Sequence, residues 1–127
     1  ARWEADAPQT VEAIRKLLPL RSRIIHCRWS GESTWIPYGD FRPGVDCENH
    51  TSHPAPGQLA LYPGGESETE LLFPYGYCHF KSKAGELWAN HFATLVEGKE
   101  HLMAHVERTA EVVWSGTIAR HGHGLRR

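Results

Sequence analysis

Residues 48–76 read ENHTSHPAPGQLALYPGGESETELLFPYG, and the division of this stretch decides the fold. Two apolar runs, 58–62 and 69–73, flank a Pro63-Gly64-Gly65 break. Short runs rich in Leu, Tyr and Phe, bounded by Pro and Gly, predict β-strands joined by a tight connection. Ahead of them lies a polar loop with Glu48, Asn49, His50, Thr51 and His53, stiffened by Pro54 and Pro56. Loops held by a rigid scaffold are where binding and catalytic groups concentrate.

Working outward, residues 1–5 read as a strand end, followed by a helix over 8–18. Asp6 and Gln9 have the spacing of a capping box and Pro8 suits a first helical turn. Val11, Ile14 and Leu18 then share one helical face, and Pro19 ends the helix. A hairpin follows, with strands at 23–29 and 34–38 about Ser30-Gly31-Glu32. Residues 39–57 have neither helical nor strand periodicity, which for a loop of this length points to function. Beyond the central pair, 77–80 extends the sheet, 81–85 turns, and 87–96 is an apolar run broken by Asn90 and His91, read as a buried strand. A second helix is expected over 98–110 and a closing strand over 112–118, with Gly116 marking a bulge. The tail around His121 and His123 is expected to be mobile. With no repeat and no linker, the 127 residues are read as a single domain, 1–127. The chain starts at Ala1, so a few native residues are expected to precede it.

Lys and Arg number 14 against 15 Asp and Glu, a formal charge of −1. That balance argues against nucleic acid as the main partner. No apolar run nears the roughly 18 residues of a membrane span. The three cysteines, Cys27, Cys47 and Cys78, are odd in number and form no C-x-x-C pair. A disulfide framework is therefore not expected, and a reducing cytoplasm is the simplest setting.

Ala7-Pro8-Gln9-Thr10-Val11-Glu12-Ala13-Ile14 resembles the A-P-x-T-V-x-x-F segment that opens the first helix of cyclophilins. The break at Tyr62-Pro63-Gly64-Gly65 followed by Phe73-Pro74-Tyr75-Gly76 is similar to the pattern of bacterial cyclophilin-like barrels. The longer string E-N-x-T-S-x-P-x-P-G … L-Y-P-G-G-x-S-E-T-E … P-Y-G … N-H-F-A resembles the uncharacterised bacterial family DUF3830. The resemblance implies a mainly β fold, a closed cyclophilin-like β-barrel of about eight strands with two helices. Prolyl isomerase activity is not expected to carry over. The first hairpin strand, Arg23 to Trp29, has no F-H-R run, and Asn90-His91-Phe92-Ala93 lacks the Q-F-F pattern.

Three candidate catalytic residues emerge: Glu48, His91 and Tyr75. Glu48 sits in the Pro-stiffened loop. His91 has an ordinary pKa that suits proton transfer near neutrality, or is a core histidine bonded to a backbone carbonyl. Tyr75, at the Pro74-Tyr75-Gly76 bend, can donate to a substrate oxygen, or is an amphipathic rim residue. Asn49, His50, Glu68 and Trp88 are the expected substrate-binding residues. Glu68 and Glu70, two apart in a strand, would share a face, where like charge raises one pKa; equally both face solvent. Trp29, Trp35, Tyr38 and Trp88 either line an apolar pocket or fill a small barrel. His50 and His53 give only a loop H-x-x-H, so no metal and no other cofactor is expected. Neither Ser67 nor Cys47 has the setting of an activated nucleophile.

These residues predict a small enzyme, bacterial as the resemblance implies, acting on a small polar metabolite, a carboxylate or amide, by hydrolytic or proton-transfer chemistry. The alternative is a non-catalytic binding or assembly module using the same pocket. The expected partner is a small-molecule ligand or substrate, not nucleic acid or membrane, with a homo-oligomer left open.

Overall fold

The computed structural model describes residues 1–97 and, as backbone, 113–118. The chain is mainly β. In order it forms β1 (Arg2–Trp3), α1 (Pro8–Leu17), β2 (Leu20–His26), β3 (Gly31–Pro37), β4 (His50–Thr51), β5 (Gln58–Tyr62), β6 (Glu70–Cys78), β7 (Lys81–Ser82), β8 (Gly85–Glu86), β9 (Ala89–Thr94) and β10 (Val113–Ile118). Eight of these strands make one antiparallel sheet in the order β1-β9-β5-β6-β3-β2-β10, with β4 on β9. β7 and β8 form a separate two-stranded ladder. No helix among the described residues is long and apolar enough to cross a membrane.

The central pair forms as its punctuation predicts. β5 and β6 pair antiparallel through Ala60↔Leu72, Leu61↔Leu71 and Tyr62↔Glu70. The Pro-Gly-Gly connection suits Gly64 in particular, at φ 88°, where an added Cβ would meet Thr69 Oγ1 at 2.6 Å. β6 runs on through Pro74 to Cys78, merging two segments that the sequence divides. Proline has no N–H for the ladder, and the sheet accommodates it where the register slips: Ser33 pairs with Pro74 and Gly31 with Cys78.

Directly paired residues share a face of the sheet, and here both faces are buried. One carries Ile24, Ile36, Leu59, Leu61, Leu71, Phe73 and Phe92, closed over by Ile14 and Leu18 at α1. The other carries Ala60, Tyr62, Leu72, Phe80, Leu87 and Ala89, with Cys27 and Trp35 packed against them. This is why the strands read as continuous apolar runs rather than alternating ones.

Some expectations differ from the structure and others fall outside the described residues. The ladders end at β1 on one side and β10 on the other, so no sheet is closed into a barrel among the described residues. Two-residue strands β4 and β1 share the outer edge of β9, at Ala89–Asn90 and Ala93–Thr94, too short to pass a ladder on. The second helix expected over 98–110, and the tail at His121 and His123, lie outside the described residues. Gly116 marks no bulge: β10 pairs with β2 in unbroken register from Val113↔Ile25 to Ile118↔Leu20. The Asp6–Gln9 capping box does not form. The N-cap is Ala7, with no side-chain cap, and Gln9 turns instead to Asp46, its Oε1 accepting from the Asp46 backbone N at 3.2 Å.

Candidate functional site

The expected catalytic residues enter three separate hydrogen-bonded groups. Glu48 Oε2 accepts from the Thr10 backbone N at 2.7 Å and from Thr10 Oγ1 at 2.8 Å. Two of the first-turn donors of α1 are thereby held by a carboxylate 38 positions away in sequence. Fully buried Asn90 completes the knot: Nδ2 donates to Thr10 Oγ1 and to the Asp46 carbonyl, and Oδ1 accepts from the Glu48 backbone N. Glu48 thus anchors the 46–48 loop to the helix.

His91 lies on the other face. Leu59 pairs with Ala93 and Ala60 with His91, so β9 carries one extra residue at Phe92. That bulge brings His91 and Thr94 to the same side. Thr94 Oγ1 donates to Glu4 Oε2 at 2.8 Å, so it accepts from His91 Nε2 at 2.8 Å, a chain of His91 to Thr94 to Glu4. Burial pushes the His91 pKa below its ordinary 6.5, partly opposed by the Glu4 charge. Asn49 clamps the same strand from outside. Its Nδ2 donates to the His91 carbonyl at 2.8 Å and its own carbonyl accepts the His91 N–H at 3.1 Å. Asn49 adopts φ 44°, a left-handed conformation that Asn tolerates better than most residues.

Tyr75 is buried against His26. His26 Nδ1 lies 2.8 Å from the Cys27 carbonyl, which only accepts, so Nδ1 carries the hydrogen. Nε2 then accepts from Tyr75 Oη at 2.6 Å. His26 pairs with Thr34 and Thr34 with Phe73, which puts His26 on the α1 face. Glu48, Tyr75 and His91 are therefore not brought into one hydrogen-bonded group.

The remaining expected residues spread similarly. His50 meets Trp88 edge-on, centroids 5.2 Å apart, and Trp88 donates to Glu86. His53 instead stacks on His79 at 4.2 Å, and His79 reaches Glu86 at 2.7 Å. Both chains of contacts end on the Glu86 carboxylate, one on each oxygen, and among the described residues no group of three or more His, Cys, Asp or Glu is disposed to hold a metal ion. Glu68 is exposed, just before β6. Of the four aromatic pocket candidates, Trp29 and Trp35 line a cleft, Tyr38 packs against the α1-side core, and Trp88 stands 46% exposed beside His50.

That cleft, about 530 Å³, opens on the face away from α1, a size typical of small-molecule sites. Its floor holds Ile25, Cys27, Trp35 and Glu70. Glu70 is paired with Pro37 and Tyr62 across the sheet and is only 8% exposed. Its carboxyl has no hydrogen bond or ion pair among the described residues. Burial first, and then the charge of nearby Glu68, push its pKa up to about 8. Cys27 beside it is no nucleophile, because burial raises its thiol to about 12.

Two walls rise from this floor. One joins Arg28–Ser30 to the β7–β8 hairpin: Ser30 Oγ donates to the Lys81 carbonyl at 3.1 Å and accepts the Lys81 N–H at 3.0 Å. It carries Arg28, Lys81 and Lys83. The other is the β5–β6 loop at Glu66–Ser67, whose backbone N–H groups donate to Tyr62 Oη at 3.0 and 3.4 Å. Glu70 enters the sequence reading only beside Glu68, as a pair in which like charge raises one pKa or both face solvent, and is not among the expected catalytic residues. It joins the apolar run Leu71-Leu72-Phe73 directly, but Glu66 and Glu68 precede it at the same spacing and hide that signal.

No curated protein matches the sequence. A family model described as protein of unknown function (DUF3830) matches residues 2–120. The motif string from Glu48 to Ala93 and this match over nearly the whole chain agree, and the chain belongs to the DUF3830 family.

Proposed function

We propose that this protein is a small bacterial enzyme that acts on a small polar metabolite in the Glu70 cleft, with Glu70 as the proton-transfer group. The observation that carries the reading is a buried carboxyl, without a hydrogen-bond or ion-pair partner among the described residues, at the floor of a cleft of metabolite size. A group that titrates near 8 is protonated at neutral pH yet close to its midpoint, the condition under which a side chain serves as both acid and base. Glu70 would give its proton to a substrate oxygen or nitrogen and take one back as carboxylate. Trp35 and Ile25 would keep bulk water from the transfer. Eight antiparallel strands with a helix over one face support a further part of the proposal, that the sheet belongs to a cyclophilin-like barrel. Three free thiols favour a reducing cytoplasm.

A thermal-shift screen of small carboxylates and amides against the wild type and Glu70→Gln tests this reading. A ligand present at about a hundredfold its Kd stabilises by about 2.7 kcal/mol. The expected result is a ligand that shifts both proteins and is turned over only by the wild type. Turnover that survives Glu70→Gln would overturn the role of Glu70. A ligand that binds both and is converted by neither would make the protein a binding module.

A further inference from the structure

The cleft walls differ in charge. Arg28, Lys81 and Lys83 stand on the wall formed by the Arg28–Ser30 segment and the β7–β8 hairpin. Glu66 stands on the β5–β6 loop, and Glu68 follows two residues later. None of these cations and neither acid forms a side-chain hydrogen bond or ion pair among the described residues. The two signs therefore do not neutralise each other across the cleft. Each wall is also held by its own fixed contacts, Ser30 with Lys81 and Tyr62 with Glu66 and Ser67. A fixed separation of opposite charges around a buried floor suits a ligand that carries both signs, since each end then gains a partner without desolvating a like charge.

We infer that the cleft takes a small zwitterion of the α-amino-acid class, its carboxylate against the Arg28, Lys81 and Lys83 wall and its ammonium against the Glu66 wall. Trp29 and Trp35 offer apolar area to the ligand's side chain. Arg28 can grip a carboxylate with two parallel hydrogen bonds, while the lysines act as point charges. The inference rests on the Glu70 cleft being the working site and narrows the metabolite to one class. Glu70 then lies on the floor between the two walls, beneath the α-carbon that joins the charged ends.

Isothermal titration with L-leucine and L-phenylalanine, and with the amide and the N-acetyl acid of each, tests the inference. Each amide keeps only the positive end and each N-acetyl acid only the negative one. At least one parent amino acid should bind ten times more tightly than both of its derivatives. The double variant Lys81→Ala/Lys83→Ala should weaken that parent and its N-acetyl acid at least fivefold and leave the amide unchanged. Glu66→Gln should weaken the parent and the amide but not the N-acetyl acid. These are exposed positions, and the charge reversal Glu66→Lys provides a second variant with the same expected direction. Equal binding of parent and N-acetyl acid, with Glu66→Gln silent, would reduce the site to an anion site and overturn the inference. So would no binding of any of the six compounds, even where Glu70-dependent turnover of some other metabolite leaves the acid–base reading standing. Zwitterion binding with turnover indifferent to Glu70→Gln would do the reverse.

Discussion

Glu70 and His91 are both displaced from their ordinary pKa by burial, in opposite directions, and the signs of their effects on stability follow. Glu70 has a folded pKa of about 8 against 4.5. Between those values the folded protein holds a proton that the unfolded chain has released. Its contribution is fully present below about pH 4.5 and is lost as pH rises through about 8. The loss is on the order of a few kcal/mol, at 1.36 kcal/mol per pKa unit. Glu70→Gln keeps the shape without the charge. Its urea midpoint should fall less between pH 5 and pH 9 than that of the wild type, and at pH 9 the variant should be the more stable protein. Parallel pH profiles for the two would mean that Glu70 is solvated. The His91 ring, with its pKa lowered, takes stability away as pH falls below 6.5, because only the unfolded chain then accepts the proton. An NMR titration of that ring should give a midpoint below 6.5; one at or above it would contradict the burial of the ring. Neither environment is legible in the residues alone. His91 interrupts an apolar run in the sequence, but its contact with Thr94 needs the bulge at Phe92. Glu70 owes its burial to strand partners at Pro37 and Tyr62, one of them 33 positions away in sequence.

The helix illustrates how an element takes its cap from outside its own segment. Sequence reasoning places α1 within one residue of its observed end, because Pro8 and Pro19 punctuate it and Ile14 and Leu18 bury one face. It assigns the cap wrongly, because a capping box is a local pattern and the cap here comes from Glu48. The carboxylate meets both a first-turn N–H and the Thr10 hydroxyl, a charge-assisted pair placed where the helix dipole also favours negative charge. Glu48→Ala should destabilise the protein by about 0.5–2 kcal/mol, the usual range for losing an N-terminal cap. A double-mutant cycle with Thr10→Ala should return a coupling of at least about 0.5 kcal/mol. Additive effects would mean that the contact contributes nothing. The same variant should leave ligand binding in the Glu70 cleft unchanged, since Glu48 lies on the α1 side of the sheet. Loss of binding there would return Glu48 to the candidate site.

At the scale of the whole molecule, the sheet separates two cores, and neighbouring residues on one strand serve different ones. Leu71 packs toward α1 with Leu61 and Phe73; Leu72, next in the chain, packs toward Phe80 and Leu87. Both leucines are fully buried. Periodicity could not reveal this, because a strand buried on both faces has no polar side to alternate with. For the same reason the cleft walls were invisible in sequence: Arg28, Glu66, Lys81 and Lys83 read as ordinary surface charges until Ser30 and Lys81, 51 positions apart, are tied together. Two cores on one sheet make a sharp expectation. Leu71→Ala and Leu72→Ala should each cost about 2–5 kcal/mol, the range for emptying a leucine site in a packed interior. Both losses should appear in a single unfolding transition followed by fluorescence and by circular dichroism, because the strand between the cores is shared. A one-sided sheet would lose stability for only one of the two substitutions. Two transitions, each sensitive to a different leucine, would mean that the faces fold independently, and the cleft would then sit on a layer able to open while the α1 face stays closed.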